Sequence, residues 1–179
     1  MSENHSKLNE ILKISRELRA QNLRSLAVFD LDSTLFNVST RTRQILSEFA
    51  DTYNQPALKT VEVNMEDWGI KEAVFRAGYS IEKDEAMLTT LRDFWRDRFF
   101  SNEYIHYDVP YGGAVSYVLE LAEVGCEVMY LTGRDQQRMG KGSEEVLKKW
   151  GFPCEKGQLV LKPERTIDDE LFKNDWFLA

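Results

Sequence analysis

Two aspartates, Asp30 and Asp32, stand one residue apart directly after a run of apolar residues. Alternate side chains of extended backbone project to the same side, so this spacing aims both carboxylates in one direction. Two adjacent carboxylates can divide a reaction between them, because one can attack an electrophile while the other transfers a proton. Paired acidic oxygens also suit a hard cation such as Mg²⁺. The pair therefore marks a candidate site that the neighbouring elements must position.

The loop that carries the pair has two simpler interpretations. In the first, the aspartates are turn residues and Ser33 or Thr34 caps a helix, which many loops of this composition do. In the second, the loop binds calcium, since it opens like an EF-hand. The second is excluded because Leu35 stands where that loop needs glycine and Arg41 where it needs glutamate.

The apolar residues 26–29 precede the pair without alternation, which predicts a strand buried on both faces of a sheet. Two further strands and several helices are predicted after residue 108, and alternating strands and helices indicate a parallel α/β sheet. Such sheets bind ligands at the carboxyl ends of their strands, where the pair lies. The strands are predicted at residues 126–131 and 158–161, the helices at residues 7–22, 113–124, 143–150 and 166–179, and a flexible polar segment at residues 135–142.

Residues 36–107 differ in character, because their apolar residues recur at helical rather than strand spacing. Helices are predicted at residues 41–53, 66–77 and 82–101. The segment is rich in aromatic residues, which favours a small core of its own over a ligand-binding box. Its aromatic and cationic side chains do not identify a substrate; the most prominent are Trp68, Arg76, Trp95 and Arg98.

Composition limits the classes of function. Hydrophobic residues form 42% of the 179-residue chain, enough for the core of one domain with an insertion. The net charge of −7 argues against nucleic acid or an anionic membrane as a partner. Cys126 and Cys154 lack partners at metal-ligand spacing and are expected to be small, partly buried apolar residues. The polar N-terminus and the lack of a long apolar run favour a cytoplasmic protein outside the membrane.

The sequence DLDSTL after one apolar strand, and TGRD after another, together resemble the haloacid dehalogenase-like (HAD) hydrolase superfamily. The resemblance runs from Leu26 to the C-terminus. It implies a Rossmann-like α/β core formed by residues 1–35 and 108–179, with residues 36–107 as a helical cap of the C1 type inserted after the first strand. It also implies hydrolysis of a small phosphate monoester through an aspartyl-phosphate.

The resemblance implies roles for individual residues. Asp30 is the expected nucleophile, and Asp32 the general acid and base. Asp30 and the backbone carbonyl of Asp32 are the expected Mg²⁺ ligands, while Thr132 and the Gly133 amide are expected to bind the phosphoryl group. A carboxylic acid at Asp32, the second acidic position of this motif, favours phosphate esters over carbon–halogen bonds as the substrate. Arg134, after the second motif, is expected to anchor its loop by local pairing.

A lysine is the third motif of this superfamily, and two candidates exist. Lys173 lies in a helical segment after acidic residues, which matches the motif better than Lys162, just after the third strand. The alternative for either is an ordinary solvated lysine.

The fourth motif, an acidic metal ligand after another strand, has no counterpart, since no buried strand precedes Asp168 and Asp169. A truncated chain, or one that binds or regulates with impaired catalysis, is therefore the alternative to an active phosphatase. Without later strands, residues 26–29 are expected at an uncovered sheet edge. That edge predicts self-association or cover by a partner.

Overall fold

The computed structural model describes residues 3–67 and 69–179, and these form an α/β fold. Trp68, one of the aromatic residues noted above, lies outside the described residues. The elements follow one another as α1 (Glu3–Ala20), β1 (Leu26–Phe29), β2 (Phe36–Asn37), α2 (Ser39–Tyr53), α3 (Pro56–Lys59), α4 (Lys71–Arg76), α5 (Ile81–Phe99), α6 (Asn102–Ile105), β3 (Val109–Pro110), α7 (Ala114–Glu123), β4 (Glu127–Asp135), α8 (Gln136–Trp150), β5 (Leu159–Lys162) and α9 (Asp169–Leu178).

Three strands form a parallel sheet in the order β1-β4-β5, which confirms the predicted α/β class. Phe29 at the end of β1 lies opposite Tyr130 of β4, so the loop after β1 and the end of β4 meet at one edge. β4 runs beyond its predicted end to Asp135, because a β-bulge after Thr132 restores pairing between Asp135 and Lys162. The TGRD sequence is therefore held within a strand.

The prediction that residues 135–142 are flexible is wrong, because α8 begins at Gln136. The helix is capped by Asp135, whose side chain accepts a hydrogen bond from the Arg138 amide at 2.9 Å. Ser143, where this helix was predicted to begin, is instead buried within α8. The polar residues and two glycines in the first half of α8 hid its helical pattern in the sequence, although the apolar face of the helix packs in the core.

Gly142 permits a close approach between α8 and α6. A Cβ added to Gly142 would lie 2.8 Å from the backbone oxygen of Asn102. The Gly142 amide also donates a hydrogen bond to Oδ1 of Asn102 at 2.7 Å. This contact joins the end of the helical segment to the sheet side of the molecule.

The segment between β1 and α7 is helical, as predicted, and has an apolar cluster of its own. Its predicted helix at residues 66–77 is reduced to α4, since Gly69 has a φ of +96° just before it. The short antiparallel pair β2–β3 joins the entry and exit of the segment. The buried residues of the cluster are Leu46, Phe49, Ala50, Leu58, Val63, Ala73, Val74 and Leu91.

The main core lies between the sheet and the helices α7 and α8. α1 packs at its margin, where Leu12 is buried against Leu121 and Cys126, in agreement with the predicted amphipathic helix. Cys126 is buried and Cys154 half-buried, and both are free thiols. The core cluster contains Leu31, Leu35, Phe36, Ile105, Val118, Val128, Tyr130, Met139, Val146, Leu147 and Phe152.

Among the described strands β1 pairs with β4 alone, and it therefore occupies an edge of the sheet, as expected. Leu26 is 51% exposed there, and Ile11 and Ile14 of α1 are exposed beside it. Self-association through this edge stays a prediction. Within the described residues, no helix is long and apolar enough to cross a membrane.

Gly142→Ala is expected to lower the free energy of unfolding by about 1–3 kcal/mol, because a backbone atom of α6 occupies the space of the new methyl group. Gly140→Ala is the matched control in the same helix, since its Cβ would meet only the exposed side chain of Gln136. The control is expected to gain up to about 1 kcal/mol from helix propensity. Urea unfolding of both variants measures the difference, and equal stabilities would contradict the close-approach account.

Candidate active site

The loop after β1 is a tight turn built around Leu31. The buried Leu31 places its carbonyl where it accepts hydrogen bonds from the amides of Leu35 at 3.0 Å and Phe36 at 2.9 Å. Asp30 and Asp32 flank it and are partly exposed. The helix-cap interpretation is wrong, because the next helix, α2, starts only at Ser39. The turn therefore presents two carboxylates at the carboxyl end of a parallel strand.

Asp30 faces a lysine from the far end of the chain. Its Oδ2 lies 3.1 Å from Nζ of Lys173, with side chains that are 36% and 31% exposed. Its Oδ1 accepts a hydrogen bond from the Leu31 amide at 2.9 Å, which orients the carboxylate. α9 carries the lysine and is capped by Asp168, whose side chain accepts hydrogen bonds from the amides of residues 170 and 171. The structure thus brings together Asp30 and the preferred third-motif candidate.

Lys162, the other candidate, has different surroundings. It is buried, and its Nζ donates a hydrogen bond to the Ile167 carbonyl at 2.8 Å and forms an ion pair with Asp169. The interpretation of Lys162 as an ordinary solvated lysine is therefore wrong. The contacts of Lys162 tie the loop after β5 to the start of α9, which in turn carries Lys173.

Thr132 and Gly133 lie in β4 at the edge that carries the aspartates. Thr132 is buried, and its Oγ1 accepts a hydrogen bond from the Arg134 amide at 3.3 Å. A Cβ on Gly133 would lie 2.6 Å from Cγ of Asp169, so the backbone at Gly133 is covered by that carboxylate. Asp169 is 63% exposed, which leaves it room to rotate away from an anion.

Asp32 belongs to a closed ring of four charged side chains. Arg134 Nε donates to Asp32 Oδ1 at 3.0 Å, and Arg134 Nη2 donates to Asp108 Oδ2 at 2.7 Å. Arg41 Nη2 lies 2.7 Å from Asp108 Oδ2 and 3.3 Å from Asp32 Oδ1. Arg41 Nε donates to Asp108 Oδ1 at 2.8 Å. The expectation that Arg134 pairs locally is wrong, because its carboxylate partners are 26 and 102 residues distant in sequence.

The ring sets the charge of Asp32. Burial raises the pKa of this carboxyl, but Arg134 and Arg41 lower it further than burial raises it, so the pKa lies below the ordinary value of 3.8. A carboxyl with a lower pKa in the folded than in the unfolded state stabilises the fold above about pH 4, and that contribution is lost as the pH falls through the lowered pKa. Asp32 is therefore a carboxylate at neutral pH.

The sequence interpretation missed Arg41 and Asp108 as members of the site. One signal was present, since Arg41 is one turn before Ile45 and on the apolar face of α2, where it is fully buried. A charge within an apolar stripe predicts a buried partner. Nothing in the sequence identifies that partner as Asp108, 67 residues further along.

The residues present limit how a metal can be held. Among residues 3–67 and 69–179, no group of three or more His, Cys, Asp or Glu side chains is placed to bind a metal ion. Mg²⁺ commonly uses one or two carboxylates together with water and substrate phosphate. Asp30 is partly exposed and fits that requirement, whereas Oδ1 of Asp32 is already bound by two arginines. Of the two carboxylates, Asp30 is therefore the one that fits a metal ligand.

No family model, curated protein or solved structure matches the chain. The assignment of a function thus depends on the geometry of the site.

Proposed function

We propose that the chain is a Mg²⁺-dependent phosphatase with a HAD-like core, which hydrolyses a small phosphate monoester through an aspartyl-phosphate on Asp30. The observation that carries the proposal is the contact of Asp30 Oδ2 with Lys173 Nζ at 3.1 Å, at the carboxyl end of a parallel strand. A carboxylate next to a fixed cation can attack a phosphoryl group that would otherwise repel it.

In this mechanism Asp30 Oδ2 attacks phosphorus while the amide of Leu31 holds Oδ1. Lys173 neutralises the charge that nucleophile and phosphate share. Asp30 and the Asp32 carbonyl would hold Mg²⁺, which would supply further neutralisation of the phosphate oxygens. Thr132 and Gly133 are at the same sheet edge, where a hydroxyl and an amide can donate to the phosphoryl group. Phosphoryl transfer depends largely on such positioning and charge neutralisation.

Asp32 is the proposed proton carrier. In the first step it protonates the ester oxygen, which leaves as the alcohol, and in the second it accepts a proton from the water that hydrolyses the aspartyl-phosphate. Its lowered pKa suits the second task, in which the carboxylate starts out charged. For the first task the charged carboxylate takes up the proton that the monoanion of the phosphate ester carries.

The helical segment of residues 36–107 is the proposed cap. Its own apolar cluster and its attachment through β2 and β3 support a unit that stands over the site. The net charge of −7 supports a small substrate rather than nucleic acid.

A second candidate function is a binding or regulatory protein that keeps the fold without turnover. Two observations favour it: the described residues contain no group of three or more side chains placed to bind a metal ion, and Asp32 is engaged by two arginines. In that case phosphate and Mg²⁺ bind but no phosphate ester is hydrolysed.

Asp30→Asn is expected to reduce the Mg²⁺-dependent release of phosphate from an aryl phosphate to background, because the amide cannot act as the nucleophile. Asp175→Asn, the same change at an exposed position of α9, is the matched control and is expected to keep the wild-type rate. Steady-state phosphate release with and without a chelator is the measurement. Equal turnover by Asp30→Asn and wild type would refute the mechanism, and absence of turnover in wild type would favour the binding protein.

Lys173→Met is expected to lower kcat by about 10²–10³-fold, since it removes a charge that stabilises the transition state. Lys162→Met is expected instead to cost about 1–3 kcal/mol of unfolding free energy, because it removes the hydrogen bond of the buried ammonium group to the Ile167 carbonyl and its ion pair with Asp169. Turnover and urea unfolding of both variants separate the two lysines. A large loss of kcat in folded Lys162→Met, with normal turnover in Lys173→Met, would assign the third-motif role to Lys162.

A further inference from the structure

The two oxygens of the Asp32 carboxylate have different surroundings. Every hydrogen bond that the described residues donate to this carboxylate ends on Oδ1, two from Arg134 and one from Arg41. Oδ2 receives no hydrogen bond from them, and the Asp32 side chain is 32% exposed. One oxygen is thus anchored and the other remains free to meet a substrate.

The anchoring arginines are themselves fixed by Asp108. This carboxylate is fully buried, and its Oδ2 lies 2.7 Å from Nη2 of both Arg41 and Arg134. Two arginines and two aspartates give the ring no net charge. Buried charges remain in a fold only when they are paired and hydrogen-bonded, so each member depends on the other three.

Two members of the ring, Arg41 and Asp108, come from opposite ends of the helical segment. Arg41 lies in the first turn of α2, where the segment begins, and Asp108 directly precedes β3, where it ends. The hydroxyl of Thr40 donates to the Tyr107 carbonyl at 2.7 Å and joins the same two points. Arg134 belongs to β4 of the sheet, so the ring connects the segment to the core at Asp32.

We propose that Arg41 and Asp108 are positioning residues that align Asp32 for proton transfer, so that attachment of the helical segment and alignment of the acid–base carboxylate depend on one interaction. This inference rests on the proposed phosphatase function. It assigns no contact with substrate to either residue. Arg134 connects Asp108 to Asp32, since it donates hydrogen bonds to both carboxylates. Its own position is fixed by Ser143, whose Oγ accepts a hydrogen bond from Arg134 Nη1 at 3.1 Å.

A positioning role has a chemical signature that a general loss of structure lacks. A poor leaving group, such as the alkoxide of an alkyl phosphate, needs the proton from Asp32, whereas nitrophenolate leaves without it. Misalignment of Asp32 therefore slows phosphoryl transfer from alkyl phosphates more than from nitrophenyl phosphate, whereas hydrolysis of the aspartyl-phosphate is slowed equally for both. Damage to folding or to the Asp30 side of the site slows both substrates alike.

The test is Arg41→Lys, which keeps the charge but cannot bridge two carboxylates. Arg43→Lys is the matched control two residues along α2, because Arg43 donates to the Val63 carbonyl outside the ring. We expect kcat/KM of Arg41→Lys, which reports phosphoryl transfer to Asp30 and not the later hydrolysis step, to fall about 10–100-fold on an alkyl phosphate and no more than about threefold on nitrophenyl phosphate. Asp32→Asn is expected to show the same pattern, and Arg41→Lys added to Asp32→Asn to cause no further loss.

Two results would overturn the proposal: equal losses of kcat/KM on both substrates, or an unchanged kcat/KM of Arg41→Lys on the alkyl phosphate. If Arg41→Lys does not fold, Ser143→Ala loosens Arg134 and is expected to give a smaller loss with the same preference for the alkyl substrate.

Failure of the proposed function is distinguishable, because wild type would then release no phosphate that depends on Asp30. In that case crystal structures of Arg41→Lys and Arg43→Lys test the alignment of Asp32 directly. Displacement of the Asp32 carboxylate in the first variant alone supports the ring, and an unmoved carboxylate in both contradicts it.

Discussion

The pairing of the buried Asp108 with two arginines is the constraint on which the arrangement of the site depends. A carboxylate with no exposure to water is stable only if its partners are close and fixed, and Arg41 and Arg134 meet that condition. Loss of one partner from such a pair typically costs about 3–5 kcal/mol, because it leaves an uncompensated buried charge. The helical segment is therefore held to the sheet by an interaction that tolerates little displacement.

The sheet supplies the other half of the site. β4 is its central strand, and the bulge after Thr132 lets the strand continue to Asp135, which then caps α8. The same stretch of backbone thus places Arg134 against Asp32 and begins a core helix. Lys173 arrives from α9, whose start is tied to β5 through Lys162.

Local patterns predicted the parts of the fold that local forces determine. The apolar run before Asp30 indicated a buried strand, and the helical spacing after it indicated the helical segment. The start of α8 was missed because Gly140 and Gly142 suggest a loop, whereas Gly142 in fact serves close packing against α6. A requirement for a small residue at a contact cannot be distinguished from a turn signal in a single sequence.

Some residues of the candidate site could likewise be predicted from local patterns, and others could not. Asp30 and Asp32 were predictable because their spacing and their position after a strand suffice. The ring was not, since Arg41 and Asp108 are 67 residues apart, and the apolar stripe around Arg41 indicates a buried partner without identifying it. Only the fold brings them together, and their partnership is specified by burial rather than by a motif.

An acid-quenched single turnover with a phosphoryl-labelled aryl phosphate and Mg²⁺ measures directly whether Asp30 becomes phosphorylated. After proteolysis, the label is expected on the peptide that contains Asp30 in the wild-type chain and to be absent from that peptide in Asp30→Asn. Release of labelled inorganic phosphate at the same rate by wild type and by Asp30→Asn, with no label on that peptide in either chain, would contradict the account.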